Sequence, residues 1–116
     1  QADVKIMLHS CGSIFPLIDD LIDVGVDILN PVQIKASDMD PVKLKATFGS
    51  KIVFWGGIDV QYVLPYGSRQ DIEAEVEKMI MIMGKGGGYI LAPGHNIQDD
   101  TPPENIVALF EAAKKY

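Results

Sequence analysis

The sequence holds two histidines and one cysteine, and they fall at two places, His9-Ser10-Cys11 and Gly94-His95-Asn96. Nitrogen and sulfur ligands of this kind suit zinc, whose catalytic sites take three protein ligands and leave a fourth position open. His9, Cys11 and His95 make up such a set. Zinc would hold Cys11 as thiolate and could activate a further ligand in the open position. The plainer reading is that His-x-Cys is a short motif and that a small cysteine is often a core residue. Asp59 follows Gly56-Gly57-Ile58 and is a candidate catalytic carboxylate, fixing the tautomer of His95 or His9; it equally suits a loop or helix cap. Asn30, Gln33 and Asn96 are candidate substrate contacts, or for Asn30 and Gln33 loop-stabilising amides.

Four strand–helix units are needed to carry these residues. The first has an apolar run over Val4–Leu8, then Ile14, Leu17, Ile18, Leu21 and Ile22 at helical spacing, with Ser13 as the cap. The second has a strand over Val26–Val32 and a helix over Val42–Phe48, started by Asp40-Pro41 and ended by Gly49. The third has Ile52–Trp55, a loop with Tyr62 and Tyr66, and a long helix capped by Ser68 with Ile72, Val76, Met79, Ile80 and Met83 on its apolar face. Trp55 reads as core. The fourth has Tyr89–Ala92 and a last helix, opened by a capping box at Thr101 and burying Ile106, Leu109, Phe110 and Ala113.

Strand followed by helix, four times, demands parallel strands joined by right-handed crossovers. The short apolar strands are those of a sheet covered on both faces. A dinucleotide-binding sheet would place a glycine-rich turn directly after a strand, whereas Gly86-Gly87-Gly88 precedes one. A (β/α)₈ barrel fits better, because all four strands run into polar or special residues at their C-terminal ends, the face on which barrels build active sites. The chain is expected to be four consecutive β/α units, the C-terminal half of a (β/α)₈ barrel, with residues 1–116 forming that one half-barrel.

Composition narrows the function. A net charge of −6 over 116 residues argues against nucleic acid. No run approaches a membrane span, and no signal peptide is visible. A single cysteine cannot form an internal disulfide, which suits a reducing cytoplasm. Position 1 is Gln and a strand follows almost at once, so the chain reads as cut from something longer.

The strand-end motifs HSCGS, GVDILNPVQ, WGGID and APGHNIQDDTPPEN, in this order, resemble the C-terminal half of the uroporphyrinogen decarboxylase superfamily. The resemblance spans the whole chain and implies that the N-terminal half of a complete barrel is absent. It also implies one of two chemistries. One branch decarboxylates uroporphyrinogen acetate side chains without metal or cofactor. The other comprises zinc-dependent, cobalamin-linked methyltransferases, which exchange a methyl group between a corrinoid and a thiol. Those bind zinc through His-x-Cys and a distant Cys; His9 and Cys11 match the first part, and His95 stands where the second Cys would be. The decarboxylases also carry a histidine in the glycine-histidine motif, for a substrate carboxylate, so His95 fits either branch. They lack His-x-Cys, which tilts the reading toward a methyltransferase.

Three expectations follow. The first is a fragment of a zinc-dependent methyltransferase, with a corrinoid carried by a substrate or partner protein. The second is a metal-free decarboxylase of uroporphyrinogen or another acid; Arg69 is the lone arginine here, so its acid-binding arginines would lie elsewhere. The third is a half-barrel inactive by itself, its open edges paired in a homodimer of eight strands.

Overall fold

The computed structural model describes residues 3–116. Four parallel strands form one sheet in the order β1-β2-β3-β4: β1 (Met7–His9), β2 (Ile28–Val32), β3 (Val53–Ile58) and β4 (Tyr89–Pro93). The helices between and after them are α1 (Ile18–Asp23), α2 (Pro41–Phe48), α3 (Val63–Tyr66), α4 (Arg69–Met83) and α5 (Pro103–Ala113). A 3₁₀ turn, Phe15–Leu17, leads into α1. These are four consecutive β/α units of a (β/α)₈ barrel. No helix among the described residues is long and apolar enough to cross a membrane.

The core lies between one face of the sheet and the helices. Leu29, Phe54 and Ile58 from the strands meet Ile18, Leu44, Ile72, Val76, Met79 and Met83, all completely buried. The helical spacing of Ile72, Val76, Met79 and Met83 therefore identified the inward face of α4, while Met81 points away. Two helix starts follow their sequence signals. The Asp40 carboxylate accepts from Lys43 N at 2.9 Å, and Ser68 with Asp71 forms a reciprocal capping box on α4.

Elsewhere the structure corrects the sequence reading. The first strand is shorter than Val4–Leu8 and lies later, at Met7–His9, and Val4 and Ile6 are exposed. Ser13 caps no helix; its hydroxyl donates to Ser37 O at 2.6 Å and ties two strand-end loops together. The stretch expected to be loop around Tyr62 and Tyr66 contains α3. At α5 the cap position is Pro102, with no side-chain cap, and Thr101 is buried instead. The buried stripe of α5 is Ala108, Leu109 and Ala112; Phe110 is 61% exposed. Asn105 on this helix donates to Leu64 O at 2.8 Å and Gly67 O at 3.1 Å, so an amide also anchors the helix.

Helices cover only one face of the sheet. Strand alternation sends Phe54 to the helices and its neighbour Trp55, half-buried, to the opposite concave face. Trp55 is thus a wall of the open barrel interior and not part of the helix-covered core.

Candidate functional site

The open face forms a cleft of about 400 Å³ at the C-terminal ends of the strands, lined by Met7, His9, Asn30, Pro31, Trp55 and His95 among others. His9 closes β1, and its register partner on β2 is Asn30. In a parallel pair such partners stand side by side on one face, and the His9 Nδ1 to Asn30 Oδ1 distance is 2.8 Å. An amide oxygen can only accept, so His9 carries its proton on Nδ1 and donates it to Asn30. With the proton on Nδ1, the lone pair of a neutral ring would sit on Nε2. Cys11 Sγ lies 3.5 Å from that nitrogen, and both residues are exposed.

Gln33 completes this arrangement from below. Its Oε1 accepts from Gly12 N at 2.6 Å, clamping the loop that carries Cys11 onto the end of β2. Asn30 and Gln33, candidates for substrate contact or loop-stabilising amides, hydrogen-bond to His9 and to the loop that carries Cys11.

His95 lines the same cleft but stands apart from the pair. The sequence reading grouped it with His9 and Cys11 as one ligand set; the strand order puts β1 and β4 at opposite edges of the sheet. His95 Nδ1 approaches Asn96 O at 3.1 Å. Asn96 also lines the cleft and is exposed. Among the described residues no three His, Cys, Asp or Glu side chains gather closely enough to hold a metal ion. The structure brings together His9 and Cys11, and leaves His95 across the cleft from them.

Asp59 serves neither histidine. Its Oδ1 accepts from Gln61 N at 2.8 Å and its carbonyl accepts from Leu64 N at 3.0 Å, so it organises the turn from β3 into α3. Its own N–H donates to Glu75 Oε1 at 3.0 Å. The side chain is 2% exposed and faces a second, smaller cavity rather than the cleft. The strand before the turn carries Gly56 and Gly57, with φ of +127° and +96°. A Cβ on Gly56 would come within 2.7 Å of Val32 N, so only glycine lets β3 pass β2 this closely. Tyr89 secures the same segment by donating its hydroxyl to Gly56 O at 2.7 Å. Burial, and then the charge of Glu75, push the Tyr89 pKa up, so the hydroxyl remains a donor.

Sequence reasoning missed Trp55 as a cleft wall, Lys35 beside Asp59, and Glu75 beneath it. Trp55 was open to inference, since strict alternation with Phe54 sends it to the other face. Lys35 and Glu75 carried no local signal.

The fold and the cleft define a segment of a β/α barrel with a histidine–cysteine pair at the C-terminal ends of its strands. The family model for uroporphyrinogen decarboxylase (URO-D) matches residues 1–116, and the chain belongs to that family. It is 36% identical over 72 residues to the uroporphyrinogen decarboxylase of Pseudoalteromonas atlantica, covering 62% of this chain and 20% of that protein. It is 31% identical over 110 residues to Methylcobamide:CoM methyltransferase MtaA of Methanosarcina barkeri, covering 95% of this chain and 30% of that protein. Among solved structures, a methyltransferase from Methanosarcina mazei superposes with a TM-score of 0.77 at 28% identity, covering 97% of this chain and 32% of that one. The chain spans about a fifth to a third of the length of these relatives.

Proposed function

We propose that this chain carries the zinc-binding edge of a methyl-transfer site, at which a thiol acceptor meets a corrinoid-borne methyl group. One observation carries the reading: His9 Nε2 and Cys11 Sγ are 3.5 Å apart, with the far nitrogen of the imidazole held by Asn30. With zinc bonds of about 2.0–2.1 Å to nitrogen and about 2.3 Å to sulfur, two ligands of a tetrahedral site stand about 3.5 Å from each other. An outer hydrogen bond that fixes the tautomer is the usual companion of a zinc-bound histidine. The donor pair therefore fits the metal.

In this reading His95 would be the third donor, from the far side of the same cleft. Bound zinc would supply thiolate at neutral pH, from Cys11 and from the acceptor. The residues of the chain do the rest. Asn30 holds His9 in the ligating tautomer, Gln33 holds the Cys11 loop in place, and Trp55 offers a flat apolar wall for the incoming group. The corrinoid would arrive on a partner protein or as a small molecule, and the setting would be the cytoplasm. The similarity to the Methanosarcina methyltransferases over nearly all of the chain supports this reading.

A decarboxylase is the second reading, favoured by the separation of His95 from the pair, which leaves it available for a substrate carboxylate. Metal content separates the two. We expect the purified chain to bind zinc, and Cys11→Ser and His9→Gln to reduce its occupancy sharply. No zinc in the parent, or occupancy unchanged in Cys11→Ser, sinks the methyltransferase reading. Within the chain, β1 and β4 are edge strands, and two copies joined along them would supply eight strands. Mass measurement in solution checks that assembly.

A further inference from the structure

We propose that the small cavity between the loops after β2 and β3 is a binding site for a primary carboxamide, held between Asp59 and Lys35. The cavity measures about 140 Å³, room for a ligand of several non-hydrogen atoms. Val32, Ile34, Ile58 and Val60 line it with apolar surface that would take an alkyl stem.

Its polar groups point to the ligand. Asp59 Oδ1 is used by Gln61 N, but Oδ2 is buried without a hydrogen-bond partner among the described residues. A buried carboxylate oxygen in that condition is costly and wants a donor. Lys35 Nζ, on a half-exposed side chain, stands 3.8 Å from Oδ2, too far for a hydrogen bond. The two charges balance one another. Of the residues lining the cavity only Lys35 and Asp59 are charged, so a cationic ligand would meet Lys35 and an anionic one Asp59, and a neutral group with a donor and an acceptor suits both.

The spacing selects among neutral groups. One oxygen at about 2.8 Å from both atoms, as in an alcohol or a water, would see them at an angle of only about 85°, tighter than hydroxyl geometry prefers. A carboxamide divides the task between two atoms about 2.3 Å apart, its N–H to Asp59 and its C=O to Lys35. Such a group reaches the site on a free small molecule or on the carboxamide-bearing rim of a corrinoid. The corrinoid source rests on the methyltransferase reading; the cavity chemistry does not.

The test is titration of the isotope-labelled full chain with propionamide, followed by NMR at the backbone amides of Gln61 and Gly94. Propionamide should shift both, and propionate, propylammonium and propan-1-ol should bind at least about tenfold more weakly. Asp59→Asn keeps the acceptor for Gln61 N and replaces Oδ2 with a donor. It should weaken propionamide about tenfold or more, the value of one hydrogen bond to a charged group. If that variant loses its dispersed spectrum, Lys35→Met takes its place, with a several-fold loss expected. No shift with propionamide, equal binding of propan-1-ol, or full affinity in the variant overturns the proposal. Cyanocobalamin moving the same resonances in an Asp59-dependent way assigns the corrinoid source; propionamide acting alone assigns a free amide. Cys11→Ser should leave propionamide binding intact, so failure of the zinc reading is seen separately.

Discussion

His9 and Asn30 are register partners on adjacent parallel strands, and their side chains are joined Nδ1 to Oδ1 at 2.8 Å. The relationship lets a backbone ladder set the tautomer of an imidazole. Each strand contributes one residue at the same height, on the same face, so the hydrogen bond costs little further ordering of the chain. Whatever Nε2 binds meets a ring already aimed.

The first prediction concerns that bond. Asn30→Ala removes the acceptor and frees the ring, so zinc affinity should fall about 10–100-fold, the usual effect of losing an outer partner of a metal-bound histidine. Asn30→Asp keeps an acceptor and should retain most of the affinity. Competition with a chromophoric chelator measures both.

A second prediction addresses the glycine turn at the end of β3. Gly56 has φ +127°, and an added Cβ would lie 2.7 Å from the backbone nitrogen of Val32. Gly56→Ala should destabilise the fold by about 2–4 kcal/mol, combining backbone strain with overpacking. Urea unfolding gives the number, and a loss under about 1 kcal/mol would show that β2 and β3 can separate without cost.

Two phenylalanines should behave oppositely. Phe54 is completely buried against the helices while Phe110 is 61% exposed. Phe54→Ala should cost about 3–5 kcal/mol, and Phe110→Ala should stay within about 0.5 kcal/mol. A large loss at Phe110 would mean that its surface is covered in solution, and the mass of the species would show whether a second copy covers it.

Acid should weaken the fold through two aspartates. The backbone N–H of Ile6, and then Lys5, hold Asp27 below its ordinary value of 3.8. The Ser68 hydroxyl, and then the Ser68 N–H, do the same for Asp71. A carboxylate whose folded pKa is lowered contributes stability that is fully present above the unfolded value and is lost as pH falls through the folded one. Thermal midpoints should therefore drop as pH falls below about 3.8, the ordinary value for both groups. Asp27→Asn and Asp71→Asn should flatten that decline, and an unaltered slope in the double variant would refute the assignment.

Local physics explains what the sequence determined alone. Apolar runs of strand length, helical spacing in α4, and Asp40 and Ser68 as caps report interactions within a few residues. They were enough for four β/α units and, with the strand-end motifs, for the barrel and its family. The polar character of the strand ends was legible for the same reason, since a β/α unit must leave its strand at that face. His9 and Cys11 are two residues apart, so their pairing too was close to a local property.

Tertiary structure decided everything that depends on how strands lie beside one another. Register made Asn30 the partner of His9 and Gln33 the clamp on Gly12. Strand order placed His95 at the far edge of the sheet. The turn after β3 took Asp59 away from both histidines and set it beside Lys35, a residue with no sequence signal. These contacts join residues about twenty or more positions apart, through backbone hydrogen bonds between strands, and such pairings leave no periodic trace in the chain.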